Sequence, residues 1–465
     1  MRAAARSVAL SLALASCGPA VLWRVRSADR STEVSVVERG GRQAVVVGGV
    51  ALPPAEAVGV ASLAVSADGA TVARAERHAG RWHLAVNGSL GPPWDGVGEV
   101  ALSPDGRRVA YAAERAGRWH VVVDGAEHST HAALLAGTLR WSPRGRHVVY
   151  VARDAAGESA VVDGVMGTSA DAVRWIRFGD KDGRVAWVER AGNAERVVVD
   201  GRAGPAWERV AELALADESP RVAYVGERDG TASLVVDGEV IATSPRALTA
   251  LRVSASGARV VCLRVADDAV TLLDNGRDAG RHDDVEAATL SLTRDGAHVT
   301  FVAVVDGGRA VVRDGAVGPR FEDVPELQAR DDGRWAYVGH RDGAWTVVVD
   351  GRRVRRERVW AGAVALSPRG RHAFFVRRGE GMAVRDEARE RPAGEAFVDS
   401  LTFDASGRRW GFLGASGPGA PLSLVAEGGA RRPVDLVELG SLLAGGALDG
   451  EAVRALVRAE LARRQ

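Results

Sequence analysis

One recurring pattern constrains this chain more than anything else in it. The stretch VALSPDGRRVAYAAERAGRWHVVVDG, Val100–Gly125, sets a tight turn, an aromatic-bearing strand, a charged hairpin tip and a β-branched strand in series. The opening turn returns as SADG at Ser66–Gly69, SPRG at Ser142–Gly145, SASG at Ser254–Gly257, TRDG at Thr293–Gly296, SPRG at Ser367–Gly370 and DASG at Asp404–Gly407. Weaker copies stand at 180–183, 217–220 and 330–333. Successive copies lie about 38 residues apart, close to the length of a four-stranded blade. The segments between turns are short, rich in Val and aromatic residues, and bounded by Gly, Pro and Asp. That is strand patterning and excludes helical repeats of similar length. Units with two hairpin turns each are also unlike the short coils of a β-solenoid.

Each repeat divides by physical role. In SPDG, Pro fixes φ, Asp bonds its own backbone and Gly accepts positive φ. The strand that follows carries Tyr111, Tyr150, Tyr224 and Tyr337 at one equivalent position, with Trp187, Phe301 and Phe375 at or beside it in other copies. One aromatic is therefore expected to fill the same slot between sheets, unit after unit. The third strand ends in Asp-Gly at Asp124, Asp163, Asp200, Asp237 and Asp350, a type I′ hairpin signal. These carboxylates read as turn residues and not as a metal ring, because none has the spacing of a calcium loop.

The SPDG turn, aromatic strand and VVVDG ending resemble the TolB-type, WD-like β-propeller repeats of bacterial envelope proteins over roughly 33–430. The resemblance implies an all-β propeller of about ten to eleven four-stranded repeats, either one large ring or two tandem rings. Eleven second-to-third-strand hairpins exceed the usual 4 to 8 blades, which favours two rings. Val34–Gly49 looks like a repeat missing its first strand, so a late strand is expected to complete an early blade. Members of such families commonly serve as interaction platforms, and some carry ligand or enzyme sites. No G-x-S-x-G occurs here; the nearest string, GASGP at Gly414–Pro418, lacks the final Gly.

The N-terminus carries an address. Arg2 and Arg6 precede a short apolar run from Val8 to Ala15, and then Leu14, Ala15, Ser16 and Cys17 resemble the lipobox of bacterial lipoproteins. The resemblance implies lipidation at Cys17. The expected organisation is a signal peptide at 1–16, a lipidated tether at 17–32, propeller repeats at 33–430 and a tail at 431–465 with an amphipathic helix. In that tail Val453, Leu456, Val457 and Leu461 keep helical spacing and Asp449 is an N-cap candidate. Docking onto the ring and binding a partner are its two readings. Only one other cysteine exists, Cys262, in an apolar run that reads as a small buried hydrophobe.

With 61 basic and 60 acidic residues the formal net charge is +1. No excess of basic charge favours nucleic acid, and no nucleic-acid partner is expected. The turns SPDG and VDG fall on one face of a four-strand blade, and the varied segments on the other. There Trp94, Trp207 and Phe321 recur in one register, either packed at the end of the fourth strand or exposed as anchors. Glu127, His128 and His131 in EHSTH complete the candidate partner-binding set. H-x-x-H beside Glu127 is a weak zinc pattern without a third ligand, so no metal, no cofactor and no catalytic residue is assigned. The reading that follows is a lipid-anchored, periplasm-facing envelope propeller serving as a non-catalytic protein scaffold, with an envelope protein as partner. The alternative is a propeller enzyme or glycan-binding protein with its site at the central channel.

Overall fold

The computed structural model describes residues 20–27, 31–179, 183–387, 389–415, 422–427, 429, 431–433, 453–454 and 457–458. The expected signal peptide and Cys17 lie outside the described residues. Within them the chain is an all-β propeller of eleven antiparallel units built on four strands each, the inner strand being split in two in the fourth unit (Ala133–Leu134 and Arg140–Trp141) and the eighth (Asp284–Val285 and Ser291–Leu292). They run, in order, over 20–51, 57–90, 96–131, 133–166, 172–207, 209–244, 248–282, 284–317, 323–357, 361–396 and 402–433. Each is a simple meander, and the sixth is typical: Arg209–Leu215, Val222–Arg228, Thr231–Val236 and Glu239–Ser244 pair in sequence order. The tenth and eleventh units share one sheet, because the fourth strand Glu390–Ala396 runs on to pair, at Glu395 and Ala396, with Trp410–Ala415.

Both signature turns form as their residues dictate. In SPDG the serine hydroxyl donates to the turn aspartate and accepts the N–H five residues on: Ser66 to Asp68 at 2.6 Å and Thr71 N to Ser66 at 2.9 Å. At Asp-Gly both residues have positive φ, 51° at Asp124 and 85° at Gly125. One carboxylate oxygen of each such aspartate then accepts the N–H that opens the second strand, Val109 to Asp124 and Val222 to Asp237, each at 2.9 Å. The other oxygen meets a basic side chain beside that strand: Arg108 for Asp124, His147 for Asp163, Arg334 for Asp350. The turn aspartates are thus consumed by turn chemistry.

The core is a chain of clusters between consecutive units. Val34, Val36 and Val45 of the first unit meet Val58 and Val72 of the second. Ala223, Val225 and Leu234 of the sixth meet Leu248, Val260 and Cys262 of the seventh. The same holds at every step to the eleventh, where Phe375 of the tenth unit packs edge-on to Phe412 at 5.1 Å. The aromatic register behaves as expected, with Tyr111, Tyr150, Trp187, Tyr224, Phe301, Tyr337 and Phe375 all buried.

Two expectations are corrected. The first unit is not short of a strand: Ala20–Arg26 pairs with Glu33–Arg39. That strand lies inside the segment read as a tether, where its β-branched and aromatic residues follow directly on the apolar leader and lose their pattern. Among the described residues no late strand enters the first unit. Nor do the units part into two rings. Clusters join each unit to the next without a break, and none among the described residues joins units that are not consecutive. Turn-to-turn contacts bridge the same seams: the Thr71 hydroxyl donates to the Gly106 carbonyl at 2.8 Å, and Arg221 to that of Gly257 at 2.9 Å.

Of the expected tail helix, residues 453–454 and 457–458 are helical and dock onto the last unit, while Asp449, Leu456 and Leu461 lie outside the described residues. Val453 and Val457 are fully buried against Leu413, Leu424 and Ala426 of the last unit, and Arg454 donates to the Asp399 carbonyl at 3.1 Å. No helix among the described residues is long and apolar enough to cross a membrane.

Candidate functional site

The three aromatic candidates are packing residues. Trp94, Trp207 and Phe321 are buried, each edge-on to the tyrosine of the following unit: Tyr111 at 6.4 Å, Tyr224 at 6.2 Å and Tyr337 at 5.9 Å. The segments of Trp94 and Phe321 turn back from the fourth strand and bridge to the third, Trp82 with Trp94 and Arg309 with Phe321, whereas Trp207 ends the fourth strand Arg202–Trp207 and pairs there with Glu195. Arg115 and Arg228 lie over the outer faces of Trp94 and Trp207, at 4.0 Å and 4.8 Å from the ring centres. The idea that they anchor a partner is therefore corrected.

The H-x-x-H candidate also comes apart. Glu127 and His128 are exposed on the outermost strand Ala126–His131. Glu127 pairs with Arg115 and His120, each at 3.0 Å. His131 is buried, with Nδ1 at 3.0 Å from Asp154 and Nε2 at 2.9 Å from the Ser129 hydroxyl. Both ring nitrogens of His131 are occupied, and its hydrogen bond holds the Asp154 carboxyl below its ordinary value. No cluster of three or more potential metal ligands occurs among the described residues.

A set of residues that the sequence did not single out holds the inner strands. Glu99, Glu212 and Glu326 each reach across to the inner strand of the next unit. Glu212 accepts from the Ala250 and Leu251 N–H groups, both at 2.7 Å, and from the Thr249 hydroxyl at 3.0 Å. Glu326 accepts from Val364 N at 2.8 Å, and Glu99 from Gly137 N at 3.1 Å. The segments caught by Glu212 and Glu326 are bulges, with Ala250 and Ala363 forced to φ of 55° and 53°. Such left-handed alanines cost about 1 kcal/mol and persist only where neighbours hold them. Glu326 also lines a cavity of about 480 Å³ with Gln328, Trp345, Trp360, Asp399 and Arg454. The cavity's acids and tryptophans are of the kind the channel-site alternative called for, but the Glu326 carboxylate is committed to the frame of the tenth unit.

Burial pushes the Glu326 carboxyl up to about 7, against the pull of the Val364 and Ala363 N–H groups and Gln328. A carboxyl raised on folding stabilises most below its unfolded pKa, here 4.5, and loses that advantage as pH climbs towards 7. The Tm of Glu326→Gln minus that of the parent is expected to rise steadily from pH 4.5 to 7.5 and then level; a pH-independent difference contradicts this.

Cys262 is fully buried between the sixth and seventh units, and burial pushes its thiol up to about 12. It is expected to ignore a disulfide thiol reagent at pH 8 in the native protein and to react fully once denatured; prompt native labelling contradicts the packing described.

The exposed remainder is the outer rim. Four units end in two-residue outer strands, Val50–Ala51, Ser89–Leu90, Val165–Met166 and Ala316–Val317, which leave Val50, Leu90, Val165, Met166 and Val317 exposed. Others end in six-residue strands of differing charge, Ala126–His131, Glu239–Ser244, Arg277–His282 and Arg352–Glu357. A groove of about 900 Å³ opens at the fourth and fifth units, with Val165, Met166, Thr168 and Trp187 among its walls.

No family model and no curated protein matches the sequence. Solved structures similar to it include the β-propeller domain of the Trilobed protease from Pyrococcus furiosus, 11% identical over 64% of this chain and 94% of that one, TM-score 0.27. A dihydro-heme d1 dehydrogenase is 16% identical over 64% and 74%, TM-score 0.30. A eukaryotic initiation factor is 10% identical over 66% and 90%, TM-score 0.33.

Proposed function

We propose that this protein is a protein-interaction scaffold, held to the bacterial envelope by lipid on Cys17, facing the periplasm and working without a catalytic step. One observation carries the reading: a constant frame bears a varied rim. Turn, aromatic and inter-unit contacts repeat from unit to unit, while the outermost strands differ in length, charge and exposed apolar residues. A stiff array that changes only at its edge presents many distinct surfaces at fixed spacing, which suits binding proteins. The address rests on the sequence alone, on the run ending in Leu14, Ala15, Ser16 and Cys17.

The test is a cross-linked pull-down of the tagged full-length protein from its native envelope beside Cys17→Ala. The scaffold reading expects a membrane-bound bait and one protein recovered in constant ratio to it, lost when the anchor is removed. A soluble parent protein overturns the anchoring. A bait that is membrane-bound but yields no protein overturns the scaffold.

A further inference from the structure

The ninth unit ends in the strand Arg352–Glu357, the outermost of its sheet. Residues 352–358 read RRVRRER in a chain whose net charge is only +1. Glu357 is taken up by Arg355 at 2.7 Å and by Arg378 and Arg385 at 3.6 Å. Arg352, Arg353, Arg356 and Arg358 are exposed, and none has an acidic partner among the described residues. Several arginines elsewhere on the rim are matched, Arg115 by Glu127, Arg264 by Asp278 and Arg281 by Asp268, while Arg202 and Arg277, which have no acidic partner among the described residues, are each the only such arginine on their strand.

The edge itself is open. Some outer strands are blunted by length, as in the two-residue strands, or by proline, as with Pro205 in Arg202–Trp207 and Pro392 in Glu390–Ala396; of the six-residue edges without proline, Ala126–His131, Glu239–Ser244, Arg277–His282 and Arg352–Glu357, only the last carries a run of arginines. Arg352–Glu357 has no proline and spans roughly 20 Å at about 3.3 Å per residue. An edge like this offers backbone donors and acceptors to a further strand. A second copy of the same strand would set arginine against arginine, so the charge that forbids self-pairing selects an anionic strand. Val354, 37% exposed between the arginines, offers an apolar contact for an alternate side chain.

We propose that this edge docks an extended acidic segment of a protein partner by strand addition, with glutamate or aspartate facing the free arginines. The proposal rests on the scaffold reading and names the chemistry of one partner. A nucleic acid or an anionic bilayer would use the charge but not the backbone edge.

The probe is a labelled Glu-Val-Glu-Thr-Glu-Val-Glu-Thr peptide titrated against full-length protein in detergent by fluorescence anisotropy. A same-charge peptide with central prolines and phosphatidylglycerol vesicles run alongside. The expected result is saturable binding of the alternating peptide that weakens with salt. It falls at least tenfold for the proline peptide and at least tenfold in Arg353→Glu/Arg356→Glu. Arg353→Gln/Arg356→Gln, with an unchanged melting curve, shows an intermediate loss. Equal binding of the proline peptide, or vesicle binding by the Cys17→Ala protein that Arg353→Glu/Arg356→Glu abolishes, overturns the proposal. If the envelope pull-down still recovers its partner while the alternating peptide fails to bind, the edge proposal falls and the scaffold reading stands.

Discussion

Gly226→Ala is expected to destabilise the protein by about 3 kcal/mol or more, the upper end of what overpacking a core costs. A Cβ on Gly226 would lie 2.3 Å from the Trp207 ring, a separation that side chains do not adopt. Trp207 is closed in by Val188, Val197 and Tyr224 and has Arg228 over its face, so the ring has nowhere to move. Trp207→Ala alone is expected to cost about 3–5 kcal/mol through the cavity it leaves. The pair tests the mechanism: Trp207→Ala/Gly226→Ala should be no less stable than Trp207→Ala alone, because the methyl then enters emptied space. Chemical denaturation followed by circular dichroism reads all three, and additive losses would contradict the fit. Gly339 repeats the arrangement, with its Cβ position 2.5 Å from the Phe321 ring.

Glu212→Ala is expected to cost about 2–4 kcal/mol although no apolar core is touched. Its carboxylate is the acceptor for two backbone N–H groups of the seventh unit, and each donor left unmet in a partly buried site costs roughly 1–3 kcal/mol. It also holds Ala250 in a left-handed conformation. Glu212→Gln keeps the shape but turns one acceptor into a donor facing an N–H, so it should recover only part of the loss. Adding Ala250→Gly relieves the backbone and should return about 1 kcal/mol in either background. A surface-like loss under 0.5 kcal/mol for Glu212→Ala would mean that the inner strands hold their bulges unaided. Hydrogen exchange at Ala250 and Leu251 localises the effect, because in a stacked array each seam loosens first at its own contacts.

What the sequence made legible was whatever repeats within one unit. Tyr111, Tyr150, Tyr224 and Tyr337 pointed to a single slot and fill it; Asp124 and its counterparts carry turn chemistry in both sequence and structure. What escaped was pairing between units. Gly226 sits two residues past Tyr224 in an ordinary strand, and nothing local says that the preceding unit drops Trp207 onto it. Glu212 and Glu326 stand three repeats apart, a spacing too sparse to read as part of the repeat. Trp94, Trp207 and Phe321 shared a register, which sequence could read, but their pairing with the third strand, by an isolated bridge at Trp94 and Phe321 and within the ladder at Trp207, is set by the fold. Ala20–Arg26 was lost against the leader that precedes it. The free arginines at 352–358 were plain as letters; that they lie on an uncovered edge belongs to the fold.

The central claim is that this array works through its rim. A photo-crosslinking amino acid placed at Met166, Val240 or Arg353 on the rim, and at Gln328 in the inner cavity, tests it in the native cells. The account predicts discrete protein adducts from at least one rim position and none from Gln328. Adducts from Gln328 alone would contradict it and put function in the channel.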